Sequence, residues 1–107
     1  MRRCCTMAVM AIEIDPAGAM PSAILKAVHF RGARVLEVGA GDGRLTFQYA
    51  AEPRSVVGVD TKEPDIRRAS QCAAGALRGD VQFLCASATA LPFSAGQFGI
   101  VLLASSL

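Results

Sequence analysis

The stretch that decides the reading is Ala33–Thr46, ARVLEVGAGDGRLT. Val35, Leu36 and Val38 make a short apolar strand; Gly39, Gly41 and Gly43 make a glycine-rich turn, and a helix is expected to start at the third glycine. Three alternate glycines straight after a strand permit positive φ and leave no Cβ between the main chain and a ligand. Amide N–H groups that also open a helix converge on one place, where a carboxylate, phosphate or hydroxyl is held. The turn is therefore built to hold something.

Working outward, the next apolar run, Ser55 to Val59, ends in Asp60, about 20 residues past the first glycine. A carboxylate at the tip of a neighbouring parallel strand suits a ribose diol, because its two oxygens accept both hydroxyl hydrogens. Asp60 also has a plainer reading, as the cap of the helix that follows. That helix, roughly 64–77, opens with Glu63-Pro64 and sets Ile66, Ala69, Ala73 and Ala76 on one face, with Arg67 and Arg68 on the wet side. Further strands are expected at Val81–Cys85 and Phe98–Ala104, and helices over 21–30 and 43–52. These β-α units predict a parallel sheet with right-handed crossovers. Arg44 stands where the dinucleotide fingerprint G-x-G-x-x-G asks for glycine, and no Lys-Ser/Thr pair follows as in a P-loop. A nicotinamide-dependent enzyme is the least favoured reading; enhancement of NADH fluorescence on mixing would revive it.

What remains, E-x-G-x-G-x-G from Glu37 to Gly43, resembles motif I of the class I S-adenosylmethionine (SAM) dependent methyltransferases, in their small-molecule branch. The resemblance runs over roughly residues 20–107 and implies an α/β fold, the N-terminal half of a Rossmann-like, doubly wound parallel sheet. It implies SAM as cofactor, with Glu37, Gly39, Ala40, Gly41 and Gly43 at its methionine and sugar, Asp60 at the ribose hydroxyls, and Thr61 and Lys62 bordering the adenine. The third motif of that family, D-A-x-x-L-P-F, is matched by Ser87-Ala88-Thr89-Ala90-Leu91-Pro92-Phe93. Ser87 and Ala88 would then meet the adenine, and a serine hydroxyl in place of the aspartate gives a weaker, uncharged hydrogen bond. Gly99 replaces the usual Asp after Phe98.

The family's usual strand order, 3-2-1-4-5-7-6, makes the fourth predicted strand an open edge in this chain, a pairing liability that invites a partner chain or self-association. Residues 20–107 then form an incomplete SAM-binding domain behind a leader, 1–19, expected to be poorly ordered or to serve as an extra packing segment. No catalytic residue is nominated, since methyl transfer from a sulfonium is an in-line displacement that needs chiefly positioning. The implied acceptor is an unspecified small molecule; the alternative is an inactive homologue that binds SAM weakly or acts by docking to another chain.

Composition narrows the remaining classes. With 107 residues the chain holds at most one domain, and 52% hydrophobic against 19% charged residues marks a folded one. A net charge of +2 with scattered basic residues gives no case for nucleic acid or an anionic membrane. Arg2 and Arg3 precede an apolar run of about nine residues, short of the ~20 of a membrane span. Cys4, Cys5, Cys72 and Cys85 lack zinc spacing and His29 has no ligating companion, so reduced thiols, no metal and a cytoplasmic location are expected.

Overall fold

The computed structural model describes residues 8–14, 28–76, 80–92 and 95–106. Five strands form one sheet: β1 (Ala8–Ile14), β2 (Arg34–Val38), β3 (Ser55–Asp60), β4 (Val81–Cys85) and β5 (Ile100–Ser106). Their order is β1-β5-β2-β3-β4, and all four ladders are parallel. Two α-helices are described, α1 (Thr46–Tyr49) and α2 (Glu63–Ala76), with one turn of 3-10 helix at Ala95–Gln97 before β5. This is a Rossmann-like α/β arrangement, part of the class I methyltransferase-like fold, as the sequence predicts.

Alternation along the strands explains the layers. Val35, Val56, Val81, Phe83, Ile100 and Leu102 share a core with Leu45, Tyr49, Ile66, Ala69 and Ala73. Ile66, Ala69 and Ala73 are the predicted buried stripe of α2, and Phe30 joins them by stacking on Tyr49 at 4.4 Å between ring centroids. Residues of opposite parity, Leu36, Val59 and Val101, form a second cluster with Phe98, against which Val38, Val57, Ala86 and Leu91 pack. Near-continuous apolar strands such as Ile100-Val101-Leu102 follow from burial on both faces.

Three expectations are corrected. The leader stretch contributes β1, which pairs with β5 from Ala8↔Ile100 to Ile14↔Ser106. The edge expected to be open is thus filled by the chain's own backbone, whose N–H and C=O groups would otherwise lack partners. The helix expected over 43–52 shrinks to Thr46–Tyr49, because Gly41 and Gly43 take φ of +57° and +91°, outside the helical region, and hold residues 41–45 in turns. The strand expected from Phe98 begins at Ile100, since Phe98 is buried in the second cluster and the Gly99 N–H donates to the Arg34 carbonyl at 2.9 Å. Most of the helix expected over 21–30, with Cys4 and Cys5, lies outside the described residues. Cys72 and Cys85 are free and exposed.

Candidate functional site

The glycine turn lies at the carboxyl end of β2, beside the tip of β3. Its amides do not converge on an empty point. Gly39 and Ala40 both donate to the Val59 carbonyl, at 2.8 and 3.0 Å, and Gly43 donates to Ala40. The Gly41 N–H donates to Oδ2 of Asp60 at 2.9 Å, while Oδ1 accepts the Lys62 N–H at 3.0 Å. The expected anion-holding role of these N–H groups is therefore corrected: those of Gly39, Ala40 and Gly41 bind the turn to β3, and that of Gly43 closes the turn on itself. A helix as short as α1 adds no dipole of consequence. Among the described residues, Asp60 makes no bond to an N–H within α2: its Oδ1 turns back on Lys62, the residue just before that helix, and its Oδ2 holds the glycine turn.

A cavity of about 240 Å³ opens in front of this arrangement, lined by Gly39 to Asp42, Arg44, Leu45, Asp60, Lys62, Asp65 and Arg68. Of the residues predicted from sequence, the structure brings Gly39, Ala40, Gly41 and Asp60 together there, with Lys62 beside them. A Cβ on Gly41 would meet no atom within 4 Å, so this residue presents bare backbone to open space. Gly43 is buried, and a Cβ there would lie 2.5 Å from the Phe47 ring; its part is local packing.

Thr61, Ser87 and Ala88 do not line the cavity. Ser87 is engaged within its own loop: its Oγ lies 2.9 Å from Thr89 Oγ1 and accepts the Thr89 N–H at 3.2 Å. The Ala86 N–H donates to the Asp60 carbonyl at 3.0 Å, so this loop still starts beside the site. Sequence reading missed Asp42, Arg44, Leu45, Asp65 and Arg68. Arg44 pairs with Asp42 and Arg68 with Asp65, each at 3.3 Å, so the rim carries both signs of charge. The spacing of Asp65 and Arg68, one turn apart at the start of the helix that follows Asp60, was the available signal.

Glu37 takes a different place from the one its motif implies. It is fully buried on the α1 side of β2, where Oε1 accepts from the Tyr49 hydroxyl at 2.6 Å and from Thr46 Oγ1 at 2.8 Å. Oε2 has no hydrogen-bond partner among the described residues. Burial outweighs these two bonds and pushes the carboxyl up from 4.5 to about 7. Burial and the adjoining Glu37 push the Tyr49 hydroxyl upward too, so it remains a donor. Glu37 lies behind the turn and does not line the cavity.

A parallel sheet with a cavity beyond its strand ends, a bare glycine turn and an acid on the next strand is the arrangement of a Rossmann-like fold. Residues 35–107 match the methyltransferase domain family, and the chain belongs to it. Uncharacterized proteins of Mycobacterium tuberculosis and Mycobacterium bovis are 40% identical over 72 residues, covering 67% of this chain and 26% of theirs. The chain thus spans about a quarter of the length of the curated relatives it matches. Among solved structures, the YcgJ protein of Bacillus subtilis superposes with a TM-score of 0.70 at 28% identity, over 77% of this chain and 36% of that one. Phosphoethanolamine N-methyltransferase 1 of Haemonchus contortus, in complex with phosphoethanolamine and S-adenosylhomocysteine, shares the fold with a TM-score of 0.66 at 23% identity, over 76% and 17%. The [4+2]-cyclase SpnF gives 0.54 at 29%, over 59% and 24%.

The residues present fit a nucleoside cofactor in one respect that can be checked. Each Asp60 oxygen accepts one backbone N–H and keeps acceptor capacity for a hydroxyl, and Gly41 beside it leaves the space that a side chain would fill.

Proposed function

We propose that this chain is the cofactor-binding part of a SAM-dependent methyltransferase acting on a small-molecule acceptor. The observation that carries the reading is the meeting of Gly41, from the turn after β2, and Asp60, from the tip of β3, at 2.9 Å on the wall of one cavity. Asp60 would accept the ribose hydroxyls, and the Gly39–Gly41 backbone would lie against the sugar and methionine portion. Lys62 and Asp65 would flank the nucleoside side, and Arg44 and Leu45 the other. When bound, SAM supplies an electrophilic methyl group on a sulfonium. The chain's contribution is to orient that group and exclude water, and no described side chain is needed as acid or base.

The test is calorimetric titration of the chain with SAM, alongside Asp60→Ala and Gly41→Val. Saturable binding that both substitutions abolish supports the reading; a folded wild-type chain that binds nothing, or variants that bind as well as wild type, overturns it. A second reading, an inactive homologue with weak affinity for SAM, is favoured by one observation, the engagement of Ser87 with Thr89 outside the cavity. Measurable SAM binding with no transfer to any acceptor in a panel of small amines, phenols and thiols would select it.

A further inference from the structure

The β2–β5 ladder stops at Val38↔Leu103, three residues before β5 does. Ala104, Ser105 and Ser106 continue the sheet by pairing with Ile12, Glu13 and Ile14 of β1. On their other side β2 has given way to the glycine turn. Gly39, with φ of +86°, sits so close that an added Cβ would lie 2.5 Å from the Ala104 carbonyl oxygen and 3.5 Å from its carbon. The first residue of the turn therefore rests against the backbone of β5 at a point where, among the described residues, only β1 continues the ladder. A backbone contact of this kind has no rotamer through which to relax, so displacement of Ala104 must be taken up by the turn. Gly39 and Ala40 are held on the far side by Val59, which leaves the turn gripped between β3 and the end of β5.

We propose that β1 is a positioning strand for the cavity: by pairing with residues 104–106 it fixes the wall behind Gly39. Docking of β1 and filling of the cavity then favour one another, since a coupling between two sites is reciprocal. The second clause rests on the proposed SAM site; the positioning itself does not.

The test is amide hydrogen exchange at Gly39, Ala40 and Gly41 in an Ala11→Pro/Ile12→Pro variant of the whole chain. Consecutive strand N–H groups point to opposite sides, so one of the two prolines removes a bond to β5 wherever the register places it. A Val81→Ala variant, in the core but on the far strand β4, is the control, compared at temperatures giving equal global stability. Exchange at the three turn amides about tenfold faster or more in the proline variant than in the control is expected. Equal exchange in the two overturns the proposal. Where the proline variant lacks a folded circular-dichroism spectrum, Ile12→Gly weakens the strand while keeping every donor, and the same comparison decides. Titration with S-adenosylhomocysteine is read alongside: affinity about tenfold weaker in the β1 variant and unchanged in the control extends the coupling to the ligand. A wild-type chain that binds no S-adenosylhomocysteine refutes the cofactor reading while the exchange comparison still stands.

Discussion

Glu37→Gln should flatten the pH dependence of folding stability. In the folded chain burial raises the Glu37 carboxyl from 4.5 to about 7, whereas in the unfolded chain it titrates near its ordinary value. Between those two pH values the folded form keeps a proton that the unfolded form has lost, so stability falls as pH rises. The loss begins near pH 4.5 and is complete a little above pH 7. At about 1.4 kcal/mol per unit it comes to about 3 kcal/mol, most of it between pH 5 and pH 8. Glutamine has the same shape and cannot titrate; its carbonyl can accept from Tyr49 and Thr46, but its amide then occupies the unpartnered Oε2 position at a cost of about 1–3 kcal/mol. The absolute stabilities of the two proteins therefore mix two effects, and their pH slopes isolate one. Urea denaturation followed by circular dichroism, at half-unit steps from pH 4.5 to 8, measures both slopes. Wild type should lose about 2–3 kcal/mol more than the variant across that range. Parallel profiles would refute the reasoning, and would mean that Glu37 meets solvent or a cation in the folded state.

Tyr49→Phe keeps the stack on Phe30 but removes the 2.6 Å donor to Glu37, so it should destabilise by about 1–3 kcal/mol at pH 8 and less at pH 5, where the carboxyl is neutral; paired urea titrations check this. Gly39→Ala combines a positive φ with a backbone oxygen at 2.5 Å from the new methyl, and should lower stability by more than the ~1 kcal/mol of the φ penalty alone, read as a fall in the urea midpoint. Gly41→Ala faces open space, so it should cost only about 1 kcal/mol and leave the circular-dichroism spectrum intact while obstructing the cavity. Asp60→Ala should destabilise the ligand-free chain by about 1–3 kcal/mol, because two backbone N–H groups lose a carboxylate; an unchanged thermal midpoint would show that water replaces it without loss.

Local chemistry made much of this molecule readable. The strand at 34–38, the strand ending in Asp60 and the helix with Ile66, Ala69 and Ala73 inside all follow from periodicity and from residues with strong backbone preferences. What depended on distant partners was not readable. Residues 8–14 look like an apolar leader until β5 is beside them, because strand pairing is a property of two segments. Glu37 was assigned to a ligand by its motif, and only the folded chain shows Tyr49 and Thr46 closing over it. Helical periodicity sent Arg68 outward, correctly, since it is exposed; its length and its place in the first turns of α2 nonetheless put it on the cavity rim.

The order of the strands has a consequence for the route by which the molecule assembles. β2, β3 and β4 are joined by single crossovers and can pair as soon as each is made, but β5, the last of the five in sequence, lies between β1 and β2, the first two. Ala8 meets Ile100 across nearly the whole described chain, a closure whose entropy is lost before any contact repays it. Folding is therefore expected to pass through a three-stranded nucleus, with β5 sealing the sheet and β1 joining it afterwards, so that the wall behind Gly39 is the last part of the cavity to form.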